Sequence, residues 1–252
     1  MGALTGVRVL DLSRVLAGPW CSQVLADLGA DVVKVERVGR GDDTRAWGPP
    51  YMKDTQGNET QEASYYRNKR SVAVDIATEK GQEIVRALAA ESDVLIENFK
   101  AGSLKKYGLD YESLSSLNPR LVYCSITGFG QTGPRAQEPG YDFIIQGMGG
   151  LMSITGERDG VQGGGPQKVG VAVTNVMTGL YSVIAIQAAL LTREKTGRGQ
   201  HCDMALLDVQ VAALGNQSQN YLSTGTSPGR YGNAHANIVP YNSFRASDKD
   251  FI

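Results

Sequence analysis

The chain has 252 residues, 41% of them hydrophobic and 20% charged, with a formal net charge of −1. That composition supplies a real core for one large or two modest domains. The near-neutral balance gives no electrostatic case for nucleic acid or an anionic membrane surface as partner. Its three cysteines, Cys21, Cys124 and Cys202, lie far apart and show neither CxxC nor metal-ligand spacing. This suits a reducing compartment and argues against a bound metal. The opening residues, MGALTGVRVLDLS, lack a basic region followed by a long apolar run, so no signal peptide is expected. The longest apolar stretch is interrupted too often to span a bilayer.

Residues 7–12 form a β-rich apolar run, residues 16–28 carry helical periodicity, and residues 31–35 form a second apolar run. This is a βαβ unit with short joints, which implies a parallel sheet. Residues 38–66 are rich in Gly, Pro, Asp, Thr and Gln and predict a long surface loop. The alternation then resumes with a strand at 72–76, a helix at 79–90 and a strand at 94–98. Two short helical pieces across 103–117, parted near Gly108, precede a strand at 121–127. A helix over 141–152 leads into a Gly-rich connection at 155–170.

Residues 169–200 are the centre of the pattern: a short extended run, a break at Thr174 and Asn175, and a long apolar helix. Thr174 or Asn175 is a natural N-cap, and Arg193, Lys195 and Arg198 suit the helix C-terminus. A polar residue at the positive end of a buried helix is well placed for chemistry on an anion. A strand at 201–206 and a helix at 208–222 follow. From about residue 221 the texture is loop-like, and the last run, DKDFI, stops as a strand begins, so part of a complete protein is expected to be missing. The whole predicts a doubly wound α/β fold, whose ligands sit at the carboxyl ends of strands.

GFGQTG at 128–133 follows a strand, but Pro134 and the polar stretch after it deny the helix that a dinucleotide site requires. His201 and His235 have no evident catalytic partners, which leaves hydrolase chemistry without support. Arg37, the Asn68-Lys69-Arg70 run and Lys105-Lys106 fall near strand ends. Such a rim suits a phosphorylated ligand, with Phe99 available for a planar ring; a solvated basic rim is the plainer alternative.

LDLSRVLAGPW, YYRNKRSVAVDI, DVLIENFKAG, NPRLVYCSITGFGQTGP, GYDFIIQGMGG and REKTGRGQ, in this order, resemble the family III coenzyme A transferases. The resemblance implies a Rossmann-like CoA-binding large domain over 1–220. Residues 221–252 would be the linker and beginning of a small domain whose remainder is absent. It further implies a cytoplasmic enzyme that forms an interlocked homodimer at full length. CoA or acyl-CoA is its substrate, a small carboxylic acid its second partner, and no cofactor is held permanently. Carried over position by position, Leu16, Ala17, Arg37, Val74, Asn98, Phe99 and Lys106 correspond to CoA contacts. Tyr141 corresponds to a tyrosine near the thioester. The family's nucleophilic aspartate aligns with Asn175, and a neutral amide is a very poor nucleophile. The resemblance therefore implies a transferase impaired as written, with Asp142 as the best alternative acid. A non-catalytic CoA-binding homologue is one alternative. An acyl-CoA racemase is another, but its histidine corresponds to Tyr141, so both members of its acid/base pair are missing. The stretches GNAHANIVPYNSF and SITGFGQTGP most resemble members that handle dicarboxylates, with succinyl-CoA as donor.

Overall fold

The computed structural model describes residues 2–49, 51–53, 59–61 and 67–248. The apolar runs become β1 Arg8–Asp11, β2 Asp31–Glu36, β5 Lys69–Ala73, β6 Val94–Glu97, β7 Val122–Thr127 and β8 His201–Ala205. Between β2 and β5 lie a 3-10 turn at Asp43–Ala46 and a short antiparallel hairpin, β3 Tyr51–Lys53 with β4 Glu59–Gln61. The loop expected over 38–66 is therefore partly ordered; its residues 50, 54–58 and 62–66 lie outside the described residues. The strand expected in DKDFI falls on residues 249–252, also outside them, beyond Asp248.

The six long strands form one sheet in the order β5-β2-β1-β6-β7-β8, and every pairing is parallel. The order reverses between β1 and β6, which makes their carboxyl ends the switch point of a Rossmann-type sheet. β6 and β7 are buried along nearly their whole length, as expected when helices cover both faces. The helices are α1 Ala17–Asp27, α2 Glu79–Ala90, α3 Tyr111–Leu117, α4 Asp142–Met148, α5 Leu151–Ile154, α6 Val173–Thr196, α7 Leu206–Ala212 and α8 Asn216–Thr224. α2 begins where expected because the Thr78 hydroxyl accepts the Gly81 amide at 3.0 Å.

Four expectations need correction. β5 starts three residues earlier than the apolar run at 72–76, because the charged Lys69 turns inward and pairs with Asp11 at 3.4 Å. The helices expected at 141–152 and 208–222 are each two helices, broken at Gly150 and Gly215, whose φ values of 83° and 55° end a right-handed turn. α6 already begins at Val173, so Thr174 and Asn175 lie inside its first turn rather than capping it. Finally, α6 has 24 residues and a mean hydropathy of 1.4, enough by length and composition to cross a bilayer. Packing accounts for one face only: Val183, Ile186, Ala189 and Leu190 are buried and Arg193 pairs with Asp93 at 2.9 Å, whereas Leu180, Tyr181, Ile184 and Leu191 are exposed.

The chain divides into two compact units, Met1–Gly140 with Asn175–Val209, and Tyr141–Thr174 with Gln210–Ile252. This cut differs from one at residue 220, which concerns where a large domain gives way to a small one. In the first unit, Leu10, Val35, Val85, Leu95, Leu109, Leu114 and Tyr123 form one cluster under α2 and α3. In the second, Arg230 ties the Gly-rich connection together through the Ser153 and Glu157 carbonyls and Asp159. Buried Gln146 accepts the Val169 amide there at 2.9 Å.

α6 meets α1 at Gly179, where an added Cβ would stand 2.8 Å from the Ala17 carbonyl oxygen. Alanine is the better helix former by about 1 kcal/mol, but the contact is with backbone and cannot rotate away. Gly179→Ala is therefore expected to lower the unfolding free energy by about 1–3 kcal/mol, read from chemical denaturation; a gain in stability would show that the two helices separate freely.

Candidate functional site

A cavity of about 470 Å³ opens at the carboxyl ends of β1, β2, β5 and β6. Its walls are apolar or aromatic where Leu12, Val35, Val74, Ile76, Phe99 and Tyr107 face it, and Arg14, Arg37 and Lys106 bring positive charge. A small-molecule site commonly has about 300–1,000 Å³ and this mixture of apolar wall and few polar groups. The Arg14 guanidinium lies over the Phe99 ring, 5.0 Å from its centre. Asp43 links the two arginines, at 3.5 Å from Arg14 and 2.9 Å from Arg37. Lys106 has no ion-pair partner among the described residues and lies 4.7 Å from the Tyr107 ring centre. The Ser103 hydroxyl on the cavity wall is buried with no hydrogen-bond partner among the described residues.

Beneath the cavity sits a buried ionic cluster. Lys34 is 2% exposed; its ammonium lies 3.4 Å from Asp42 and 4.0 Å from Asp11, and donates to the Ser13 carbonyl at 2.5 Å. Asp42 also accepts the amides of Thr44 and Val15. Val15 is held at φ 71°, a left-handed conformation unfavourable for a β-branched residue. Such strain costs about 1–3 kcal/mol and persists where surroundings over-determine it. Asn98 completes the frame: its carbonyl accepts the Arg14 amide at 2.8 Å, and its amide donates to the Arg14 carbonyl at 2.7 Å. Burial alone would raise the Asp11 carboxyl, but the Lys34 and Lys69 ammoniums and the Ser13 and Ser22 hydroxyls hold it below its ordinary value. Burial drives the Lys69 ammonium down, with Asp11 opposing.

Of the residues singled out from sequence, Arg37, Val74, Phe99 and Lys106 meet in one cavity. Asn98 stands behind it as the clamp on Arg14. Leu16 and Ala17 begin α1, whose N-terminus has no side-chain cap. Asn175 is half-buried and lies one turn before Gly179 on the same face of α6, the face that meets the start of α1. Tyr141 and Asp142 belong to the second unit. Tyr141 is exposed there, and Asp142 opens α4 and accepts from Gln146 at 2.6 Å. Sequence reasoning placed Arg14 in the ligand-side stretch at the end of the first strand, but missed Tyr107, Ser103 and the Lys34–Asp42 pair. Those residues had no local signal. Both histidines serve structure: His201 Nε2 is 2.9 Å from the Ser125 hydroxyl and its ring stacks on Tyr111, while His235 Nδ1 accepts two loop amides. Among the described residues no His, Cys, Asp and Glu cluster could hold a metal.

Sheet order, switch-point cavity and cationic rim define an α/β protein of the Rossmann type with an aromatic-walled slot at its switch point. The particular family follows from comparison with known proteins. Residues 4–252 match the profile of CoA-transferase family III, and the chain belongs to that family. It is 58% identical over 97% of its length to the succinate–glutarate CoA-transferase of Agrobacterium fabrum. It is 48% identical, again over 97%, to the human succinyl-CoA:glutarate CoA-transferase. The chain spans 61% and 54% of those two proteins. Among solved structures, a CAIB/BAIF family protein from Brucella suis superposes with a TM-score of 0.90 at 57% identity, covering 98% of this chain and 65% of that one. A Mycobacterium tuberculosis protein superposes at 0.78 with 32% identity, over 97% of this chain and 62% of that one.

Removing Lys34 leaves Asp42 and Asp11 short of a buried cation. Lys34→Met is expected to cost about 3–5 kcal/mol, and Lys34→Met with Asp42→Leu to recover much of it. Because Asp11 has a depressed folded-state pKa, its contribution is complete above the unfolded value and is lost as pH falls through the folded value. Lys34→Met should therefore move the acid-unfolding midpoint to higher pH, followed by circular dichroism; an unmoved midpoint would place that stabilisation elsewhere.

Proposed function

We propose that the chain is the CoA-binding part of a CoA-transferase that moves CoA from an acyl-CoA donor, succinyl-CoA, to a dicarboxylic acid. The observation that carries the reading is the cavity in which Arg37, Val74, Phe99 and Lys106 converge. In this reading the adenine lies against Phe99 and Tyr107, bounded by Leu12, Val35 and Val74. Arg37, Arg14 and Lys106 meet the phosphates, and the Ser103 hydroxyl supplies one hydrogen bond. Asp43 holds Arg14 and Arg37 in place until phosphate competes for them. The named activities of the Agrobacterium and human relatives support the donor and the acceptor class.

The pantetheine arm would run from the cavity toward Leu16 and Ala17, where the helix N-terminus favours the negative charge that develops on the thioester oxygen. A carboxylate at the position of Asn175 would attack the thioester carbonyl and release the CoA thiolate, leaving a mixed anhydride. The thiolate would then attack the enzyme's acyl carbon, release the donor acid and form an enzyme thioester. The acceptor carboxylate would reverse these two steps and leave as its CoA ester. Asn175 stops the sequence at its first bond, because an amide lacks the nucleophilic oxygen pair of a carboxylate. That single residue favours a second reading, a homologue that binds CoA without turning it over. We further propose an interlocked homodimer at full length and a cytoplasmic setting. Exposed apolar residues on α6, Leu180, Tyr181, Ile184 and Leu191, support assembly, and three buried free thiols are in keeping with a reducing compartment.

Calorimetry should detect binding of CoA and none of NAD. Phe99→Ala is expected to weaken CoA by about 1–3 kcal/mol, the worth of one base stacked on an aromatic ring. Mass spectrometry after incubation with succinyl-CoA should find a covalent CoA adduct on Asn175→Asp and none on the parent chain. An adduct on neither, with CoA still bound, would favour the non-catalytic reading; NAD bound in place of CoA would sink both.

A further inference from the structure

We infer that Glu97 is a positioning residue for the ring-binding wall: its buried carboxylate holds, from beneath, the backbone turn that carries Asn98 and Phe99. Glu97 ends β6 and is 5% exposed. Its Oε2 accepts the Phe99 amide at 2.8 Å, and its carboxylate also accepts from the Ser125 hydroxyl. Asn98, between them, is bonded in both directions to the Arg14 backbone. Phe99 and Arg14 both line the cavity, whereas Glu97 does not. One carboxylate thus anchors the turn that carries the ring, and through Asn98 that turn is tied to the loop that carries the overlying guanidinium. The inference rests on the CoA reading of that cavity.

The surroundings make this anchor sensitive to protons. Around Glu97 stand Tyr123 and Ser125 on β7 and Asp203 on β8, with His201 reached through the Ser125 hydroxyl. The Tyr123 hydroxyl is committed to the Leu109 carbonyl at 2.9 Å. Among the described residues no cation pairs with Glu97. Burial therefore pushes its carboxyl up to about 7, with Asp203 adding to the rise and the Ser125 and Phe99 donors restraining it. A carboxylate accepts an amide more strongly than a carboxylic acid does. The turn is held tightest above neutral pH and loosens as Glu97 takes up a proton.

The test compares the parent chain with Glu97→Gln, which keeps the shape and a neutral acceptor. CoA is titrated calorimetrically from about pH 6 to pH 8.5, and Phe99 amide exchange is followed over the same range. At pH 8 the variant should bind CoA about five- to tenfold more weakly. The ratio of the two Kd values should fall toward one near pH 6; taking a ratio cancels the titration of CoA itself. Exchange at Phe99 should quicken in the variant at high pH only. Equal affinities at pH 8, or a ratio that does not change with pH, overturn the inference. If neither protein binds CoA at any pH, the CoA reading fails, and the exchange comparison still decides about Glu97: unchanged protection at Phe99 refutes it, and lost protection at high pH supports it.

Discussion

The Lys34 ammonium, almost wholly out of water, lies between the carboxylates of Asp42 and Asp11 and donates to the Ser13 carbonyl. A charge in that position is tolerable only if every partner is in place, since an isolated buried ion is far too costly. The cluster therefore ties three segments to one geometry: the end of β1, the body of β2 and the turn that Asp42 begins. Through the Val15 amide it also holds a strained residue in the first loop. The position of Arg14 depends on that loop, and the rim of the cavity depends on Arg14 and Arg37 sharing Asp43.

The cavity wall follows the same plan. Side chains that would touch a ligand are each held by a residue that does not line the cavity. Asn98 fixes the backbone of Arg14, Glu97 fixes the amide of Phe99, and Asp43 bridges two guanidiniums. Second supports of this kind keep a site within the small tolerances that binding requires. The end of α6 meets α1 through Gly179, which lacks the side chain that would separate them. Asn175 lies one turn before Gly179 on the same side of α6.

In the proposed reading, function divides between a scaffold that would recognise CoA and one carboxylate that would exchange it. The scaffold in this chain keeps the charges, apolar wall and switch-point geometry, whereas position 175 carries an amide. In that reading binding and turnover are separable. Affinity is distributed over many contacts, but a covalent step needs one atom of sufficient nucleophilicity.

The sequence by itself determined the alternation of sheet strands and helices, the parallel sheet and the family, though not the β3–β4 hairpin or the breaks at Gly150 and Gly215. Periodicity is local, and the motifs around residues 14–20, 97–99 and 193–200 survive as strings. Strand-end residues such as Arg37 and Phe99 were legible because a Rossmann sheet gathers those ends at one edge. Only the tertiary structure decided that Lys69 belongs inside β5, that Lys34 is a buried cation, that Glu97 faces the underside of its own turn, and which backbone groups Asn98 binds. A charged residue reads as surface until its counter-charge is known. For Lys34 and Lys69 the shared counter-charge is Asp11 on another strand, brought within a few ångströms by folding alone.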